Sequence, residues 1–262
     1  MSGANRSGVA RSAGANRNGA LARFKEMLRS TAHAVLDPAV GLLMRMGFTA
    51  NGLTLIGLTL SGAAGYAFFD GHSRLAALLL AVSGLCDILD GQVARRSGGE
   101  TRFGAFFDST LDRLSEALVL TGILGFCLRN LVALVQDPVR ALAQTDAGLE
   151  PITWAMVAVT TALALTGSFL VSYTRARAEG LGLECKVGWF ERPERLVLLI
   201  VAMGIKQFRA ISLALILLAL FSFITACQRV VHVWKLTRSP ADRAGADPPA
   251  GRRSMSREAG DS

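Results

Sequence analysis

Four aspartates set the chemistry of this sequence. Asp87 and Asp90 are three residues apart, and Asp108 and Asp112 are four apart, so each pair shares one face of a helix. The flanking stretches, residues 75–85 and 118–126, are apolar enough to lie in hydrocarbon. A carboxylate there costs roughly 3 kcal/mol even on a lenient insertion scale, so about 12 kcal/mol for four. A chain keeps such a cluster when something cationic binds it. Hard divalent ions, Mg²⁺ or Mn²⁺, take oxygen ligands of this kind. Two such ions about 4 Å apart can clamp a diphosphate and neutralise its leaving group. Ordinary surface salt bridges at two helix ends would use the same spacing, but the apolar flanks argue against a surface position.

The neighbours of the aspartates carry further chemistry. Gly91 lies four residues after Asp87, and Ala94 four after Asp90, so both share the carboxylate face. Their lack of bulk lets a nucleotide approach the helix, and serves close helix packing equally well. Arg95 could pair with a phosphate or mark the membrane interface as a snorkelling residue. Gly104 could be a loop-to-helix hinge or a close-contact site. Asp112 is the deepest carboxylate on its helix and could take a proton from an acceptor hydroxyl as a general base.

The full pattern, D-x-x-D-G-x-x-A-R-x8-G-x3-D-x3-D over residues 87–112, resembles the signature of the CDP-alcohol phosphotransferase family, with every fixed position filled. Members of that family transfer a phospho-alcohol group from a CDP-linked donor to a hydroxyl acceptor and release CMP. The resemblance implies metal-ligand roles for Asp87, Asp90 and Asp108. Asp112 would be the base and could also touch metal. It implies contacts to the CDP moiety from Asp87, Gly91, Ala94, Arg95 and Gly104. The upstream segment 49–54 looks like the family's N-x-x-T nucleotide segment, which puts Asn51 and Thr54 near the CDP.

These residues need elements to hold them. The chain has 262 residues, 51% of them hydrophobic, and a mean hydropathy of +0.40. That is the composition of a polytopic membrane protein. Six apolar segments, at about 52–69, 75–94, 105–128, 152–174, 188–205 and 211–234, are each near the span length of about 20 residues. The fifth is the weakest, because its clean apolar run covers only 196–205. Small residues such as Gly57, Gly62 and Gly65 suit close packing between helices in lipid. The expected fold is all-α, a six-helix membrane bundle over residues 48–236. A basic amphipathic helix over 21–47 precedes it and would lie in the headgroup plane or pack on the bundle. Residues 1–20 and 237–262 read as disordered tails, the first without the apolar core of a secretory signal. Four dispersed cysteines show no disulfide or zinc spacing. Cys86, Cys127 and Cys227 read as buried core residues.

Charge gives an orientation. With six spans, 23 of the 28 Lys and Arg residues fall on the side that holds both termini. The positive-inside rule makes that side cytosolic. The loop 95–104 lies on it, so the four aspartates would face a pocket open to the cytosol.

The acceptor must be read from the second half of the chain. Arg175, Arg177, Arg192, Arg195 and Arg229 recur at the cytosolic ends of the last three segments. Arg195 and Arg229 sit inside their segments, where a cation is costly. Such a set suits a phosphate on the acceptor, since guanidinium binds phosphate bidentately. The positive-inside rule alone, or neutralisation by Glu191 and Glu194, would also account for arginines here. Residues 172–179, 191–196 and 227–229 resemble the phosphatidylinositol phosphate synthases of actinobacteria. That closer resemblance implies an inositol-phosphate pocket at Ser172, Arg175, Arg195 and Arg229. Arg175 departs from the lysine common there.

The expected reaction joins CDP-diacylglycerol and inositol 1-phosphate to give phosphatidylinositol phosphate and CMP, with two Mg²⁺ or Mn²⁺ ions. The expected setting is a bacterial inner membrane, as a homodimer, with no nucleic-acid partner. Rivals are a sibling enzyme such as a phosphatidylglycerophosphate synthase or a CDP-inositol user, a divalent-cation transporter, and a prenyl-diphosphate transferase.

Overall fold

The structure is a computed structural model that describes residues 37–98, 101–146, 149–185, 187–188, 190 and 192–238. Helix α1 covers residues 37–45. It is followed by α2 (Ala50–Phe69), α3 (Ser73–Arg96), α4 (Arg102–Gln136), α5 (Pro138–Asp146), α6 (Pro151–Gly180), α7 (Arg192–Ile205) and α8 (Phe208–Thr237). No strand occurs among the described residues.

Local chemistry sets several of these ends. Thr49 caps α2, its Oγ1 accepting from the Gly52 amide at 3.2 Å. Thr101 caps α4 in the same way, accepting from the Gly104 amide at 2.9 Å. Gly104 is therefore the third residue of a capped helix, and the hinge considered for it is not what it forms. Between α2 and α3 the chain turns at Gly71, whose φ of 93° suits glycine. There the His72 amide donates to the Ala67 carbonyl at 2.8 Å and closes the end of α2.

Five helices, α2, α3, α4, α6 and α8, are long and apolar enough to cross a membrane. The protein is an all-α integral-membrane protein with several apolar spans. The sixth expected span is shorter than the sequence pattern suggested. Helix α7 has 14 residues, about 21 Å at 1.5 Å per residue, against about 30 Å of hydrocarbon. Arg192 and Pro193 are its first described residues, and Lys206, with φ 59°, lies just beyond its end. Helix α4 is longer than expected, at 35 residues. It runs through Arg129 and Asn130 because both are accommodated. Arg129 lies 5.1 Å from the Phe69 ring centroid and 3.5 Å from Asp70, and Asn130 donates to the Phe126 carbonyl at 2.8 Å. Helix α5 was not anticipated; a single short amphipathic turn pair leaves little periodicity to read.

The chain divides into two compact units, Met1–Ile56 with Leu85–Asp108, and Gly57–Gly84 with Ser109–Ser262. In the first, Val40, Leu53, Leu89 and Val93 form a small apolar core. Val40 is fully buried there, and Arg96 pairs with Asp37. Most of the amphipathic segment expected over 21–47, and the tails at 1–20 and 239–262, lie outside the described residues. The described end of that segment, α1, buries Val40 in this core and leaves Leu42 exposed.

The second unit holds the larger core. Trp154 is packed between Phe126 and Phe208, with ring centroids 5.7 and 4.4 Å away, and its indole nitrogen donates to Gln144 at 3.0 Å. The small-residue stripe of α2 meets α4 directly. A Cβ on Gly122 would lie 2.1 Å from the Gly65 carbonyl oxygen, so the two backbones touch. Ser61 and Ser83 share a hydrogen bond of 2.8 Å, and Ser83 donates to the Gly57 carbonyl at 2.8 Å. Helices α6 and α7 both pack on α8. Cys227, expected inside, is exposed on α8. That helix is apolar all round, so the sequence pattern does not mark which side faces inward.

Candidate active site

The first unit contains a cavity of about 410 Å³. The end of α3 supplies Asp90, Gly91 and Ala94, and the start of α4 supplies Gly104, Ala105 and Asp108. The capped start of α2 adds Asn51 and Thr54. Asp87, Asp90 and Asp108 each offer a carboxylate oxygen, and these lie within 4.8 Å of one another. Asp90 is buried, and the other two are half-buried. Three hard oxygen donors so close together, partly out of water, fit a divalent ion such as Mg²⁺ or Mn²⁺. Without a cation their mutual repulsion would be poorly screened.

Thr54 does more than line the cavity. Its hydroxyl donates to Asp90 Oδ2 at 2.8 Å, fixing the carboxylate that is most deeply buried. The starts of α2 and α4, with their positive dipole ends, both border this space, which suits an anionic ligand. A Cβ on Gly91 would come within 3.6 Å of Arg95 Nη1, so the Arg95 head lies back along α3 over the glycine face. The two capping threonines, Thr49 and Thr101, and Ser97 also line the cavity and were not singled out from sequence. The signal for the caps was available: a threonine at the head of each apolar run.

A second cavity, of about 180 Å³, lies in the second unit. The structure brings Ser172, Arg175, Arg195 and Arg229 together in its lining, with Asp112 and Arg192. Arg195 is only 3% exposed. Its Nη1 lies 3.0 Å from Oε1 of Glu116, a glutamate from α4. Glu116 was missed in sequence because its partner is 79 positions away. Arg229 is also buried; it donates from Nε to the Val187 carbonyl at 2.8 Å and from Nη1 to the Val171 carbonyl. Arg175 is paired with Glu179 at 2.8 Å, one turn along α6.

Asp112 is not among the three clustered carboxylates. Its Oδ1 lies 2.7 Å from Arg192 Nη1, and its Oδ2 lies 3.7 Å from Arg113 Nη1. Helix α4 thus carries Asp108 into the first cavity and Asp112 into the second.

An oxygen-only donor set within membrane helices, on a chain that also builds an arginine-lined cavity, is the chemistry of an intramembrane enzyme that handles phosphates. Residues 48–236 match the family model for CDP-alcohol phosphatidyltransferases. The chain belongs to that family and is an enzyme of its phosphatidylinositol phosphate synthase-like branch. It is 34% identical to an archaetidylinositol phosphate synthase of Methanothermobacter thermautotrophicus, over 82% of this chain and 94% of that one. It is 32% identical to a phosphatidylinositol phosphate synthase of Mycobacterium tuberculosis, over 82% of this chain and 92% of that one. The crystal structure of a Mycobacterium tuberculosis phosphatidylinositol phosphate synthase with CDP-DAG bound superposes with a TM-score of 0.63 at 33% identity. It covers 81% of this chain and 97% of that one. A crystal structure of the same synthase in complex with manganese and citrate also has a TM-score of 0.63.

Proposed function

We propose that this protein is a phosphatidylinositol phosphate synthase that uses CDP-diacylglycerol as donor and inositol 1-phosphate as acceptor. The observation that carries the reading is the second cavity, where five arginines and Ser172 line the same small space as Asp112. Guanidinium groups there offer the bidentate geometry a phosphate monoester needs. Similarity to an archaetidylinositol phosphate synthase and a phosphatidylinositol phosphate synthase supports the same acceptor.

The donor's CDP is placed in the first cavity. Asn51, Thr54, Gly91, Ala94, Arg95 and Gly104 bind and orient it, with the helix starts facing its diphosphate. Asp87, Asp90 and Asp108 would hold the divalent metal, two Mg²⁺ or Mn²⁺ ions in this reading, with Asp112 available to touch the second. When bound, the metal supplies charge neutralisation for the diphosphate and the departing CMP. Asp112 accepts the proton of an inositol hydroxyl. The hydroxyl oxygen forms a bond to the lipid-side phosphorus, the bond from that phosphorus to the CMP oxygen breaks, and CMP leaves with the electron pair. Ser172, Arg175, Arg195 and Arg229 hold the acceptor phosphate throughout.

We place the protein in a bacterial inner membrane, with α7 as a short sixth span, so that both termini and the active site face the cytosol. The charge bias supports this orientation. The homodimer is supported by the family resemblance alone, since the Gly65 face of α2 is already used against α4 within the chain.

Arg175 in place of lysine keeps glycerol 3-phosphate as a second acceptor to test. Purified protein in nanodiscs, given CDP-diacylglycerol and Mn²⁺, should release CMP with inositol 1-phosphate and not with glycerol 3-phosphate or free inositol. Release with glycerol 3-phosphate alone would overturn the acceptor.

A further inference from the structure

Both oxygens of the Asp112 carboxylate have a guanidinium nitrogen close by. Arg113 is its chain neighbour and is tied to the Ser109 carbonyl of the same helix. Arg192 comes from elsewhere: it is the first residue of α7, and its Nη1 lies 2.7 Å from Asp112 Oδ1. An oxygen that accepts from a guanidinium has that lone pair occupied and cannot also take a hydroxyl proton there. The pair is not sealed away. The Arg192 side chain keeps 23% of its surface exposed and lines the arginine-rich cavity beside Arg175, Arg195 and Arg229. One guanidinium therefore stands between two anionic partners, the carboxylate it now holds and a phosphate in that cavity. A phosphate monoester offers it more negative charge and two oxygens at fork spacing.

We propose that Arg192 is a latch on Asp112, holding the carboxylate while the acceptor cavity is empty and releasing it when the acceptor's phosphate takes the guanidinium. This rests on reading Asp112 as the base and the cavity as the acceptor's phosphate site. The latch protects an activated donor. With Asp112 always available, water could replace the acceptor. The water oxygen would bond to the lipid-side phosphorus, Asp112 would take the water proton, and the bond to CMP would break, leaving phosphatidate and CMP. Holding Asp112 until phosphate arrives couples CMP release to the intended alcohol. Arg192 is in this account a positioning residue that acts through Asp112.

The experiment compares wild type, Arg192→Ala and Arg192→Lys in nanodiscs containing CDP-diacylglycerol, with Mn²⁺. CMP and phosphatidate are followed without acceptor, and CMP with inositol 1-phosphate. For Arg192→Ala, acceptor-independent release should rise about tenfold over wild type, and the KM for inositol 1-phosphate should rise by a similar factor. Arg192→Lys keeps a cation beside Asp112, and its acceptor-independent release should stay within about threefold of wild type. Adding Asp112→Asn to Arg192→Ala should abolish the gain. A gain of hydrolysis is a readout that mere loss of structure does not produce. If Arg192→Ala does not fold, Arg192→Gln takes its place with the same expected rise. Acceptor-independent release at or below the wild-type rate in a folded neutral variant would overturn the latch. Absence of acceptor-dependent release in wild type would overturn the functional reading instead, so the two failures are distinct.

Discussion

Among single residues, activity depends on which groups hold the reacting ones. Thr54 donates to Asp90 at 2.8 Å. Thr54→Val should therefore weaken Mn²⁺ binding and activity by about tenfold or more, the usual effect of losing a group that orients a metal ligand. Metal titration of the purified variant checks it. Arg195 and Glu116 form a pair whose side chains are 4% and 13% exposed. Removing one partner of such a buried pair costs about 3–5 kcal/mol, because the other charge is left alone. Glu116→Ala should accordingly lower the thermal stability of the detergent-purified protein. If its melting curve matches wild type, Glu116 is not the partner that matters.

The residue scale is also where sequence was most and least informative. Asp87, Asp90 and Asp108 were legible because a carboxylate in an apolar run demands a reason. Gly104 was legible as a position but not as the third residue of a capped helix. Arg192 was seen as one of several arginines, and its hold on Asp112 was invisible, since it joins side chains 80 positions apart in the chain. Helical periodicity reports local faces and says nothing of such partners.

At the scale of elements, the contact between α2 and α4 is the most constrained feature. A Cβ on Gly122 would sit 2.1 Å from Gly65's carbonyl oxygen, inside any allowed approach. Gly122→Ala should force the helices apart and cost about 1–3 kcal/mol or more, as overpacking does. A melting temperature unchanged from wild type would contradict that crossing. In sequence Gly65 stands out as one of several small residues along α2, while Gly122 lies within a long apolar run that gives no such pattern. Helix α7 is the element sequence reads least well. Its clean apolar run covers only 196–205, and its described residues are Arg192–Ile205. Hydropathy alone cannot tell a short helix from a full span, and α7 buries Leu199, Ala202 and Met203 while Val197, Val201 and Ile205 are exposed.

For the molecule as a whole, orientation follows from the number of spans. Five helices reach span length, and the charge bias puts 23 of 28 basic residues on one side only if α7 crosses as a sixth. Epitope tags at the two ends should then both be digested by protease in inside-out vesicles and both be protected in right-side-out ones. Tags of opposite accessibility would leave α7 outside the count of spans and would separate the termini.

The central claim is that the arginine cavity receives a phosphorylated alcohol and delivers it to the lipid. Its most direct measurement uses inositol 1-phosphate carrying a radiolabelled phosphate, with CDP-diacylglycerol and Mn²⁺ in nanodiscs. Label is expected in the organic phase, in a lipid that keeps the monoester phosphate. Asp112→Asn, and Arg195→Ala at low acceptor concentration, should lose this label by about a hundredfold or more. Label that stays in the aqueous phase while labelled glycerol 3-phosphate enters lipid would contradict it.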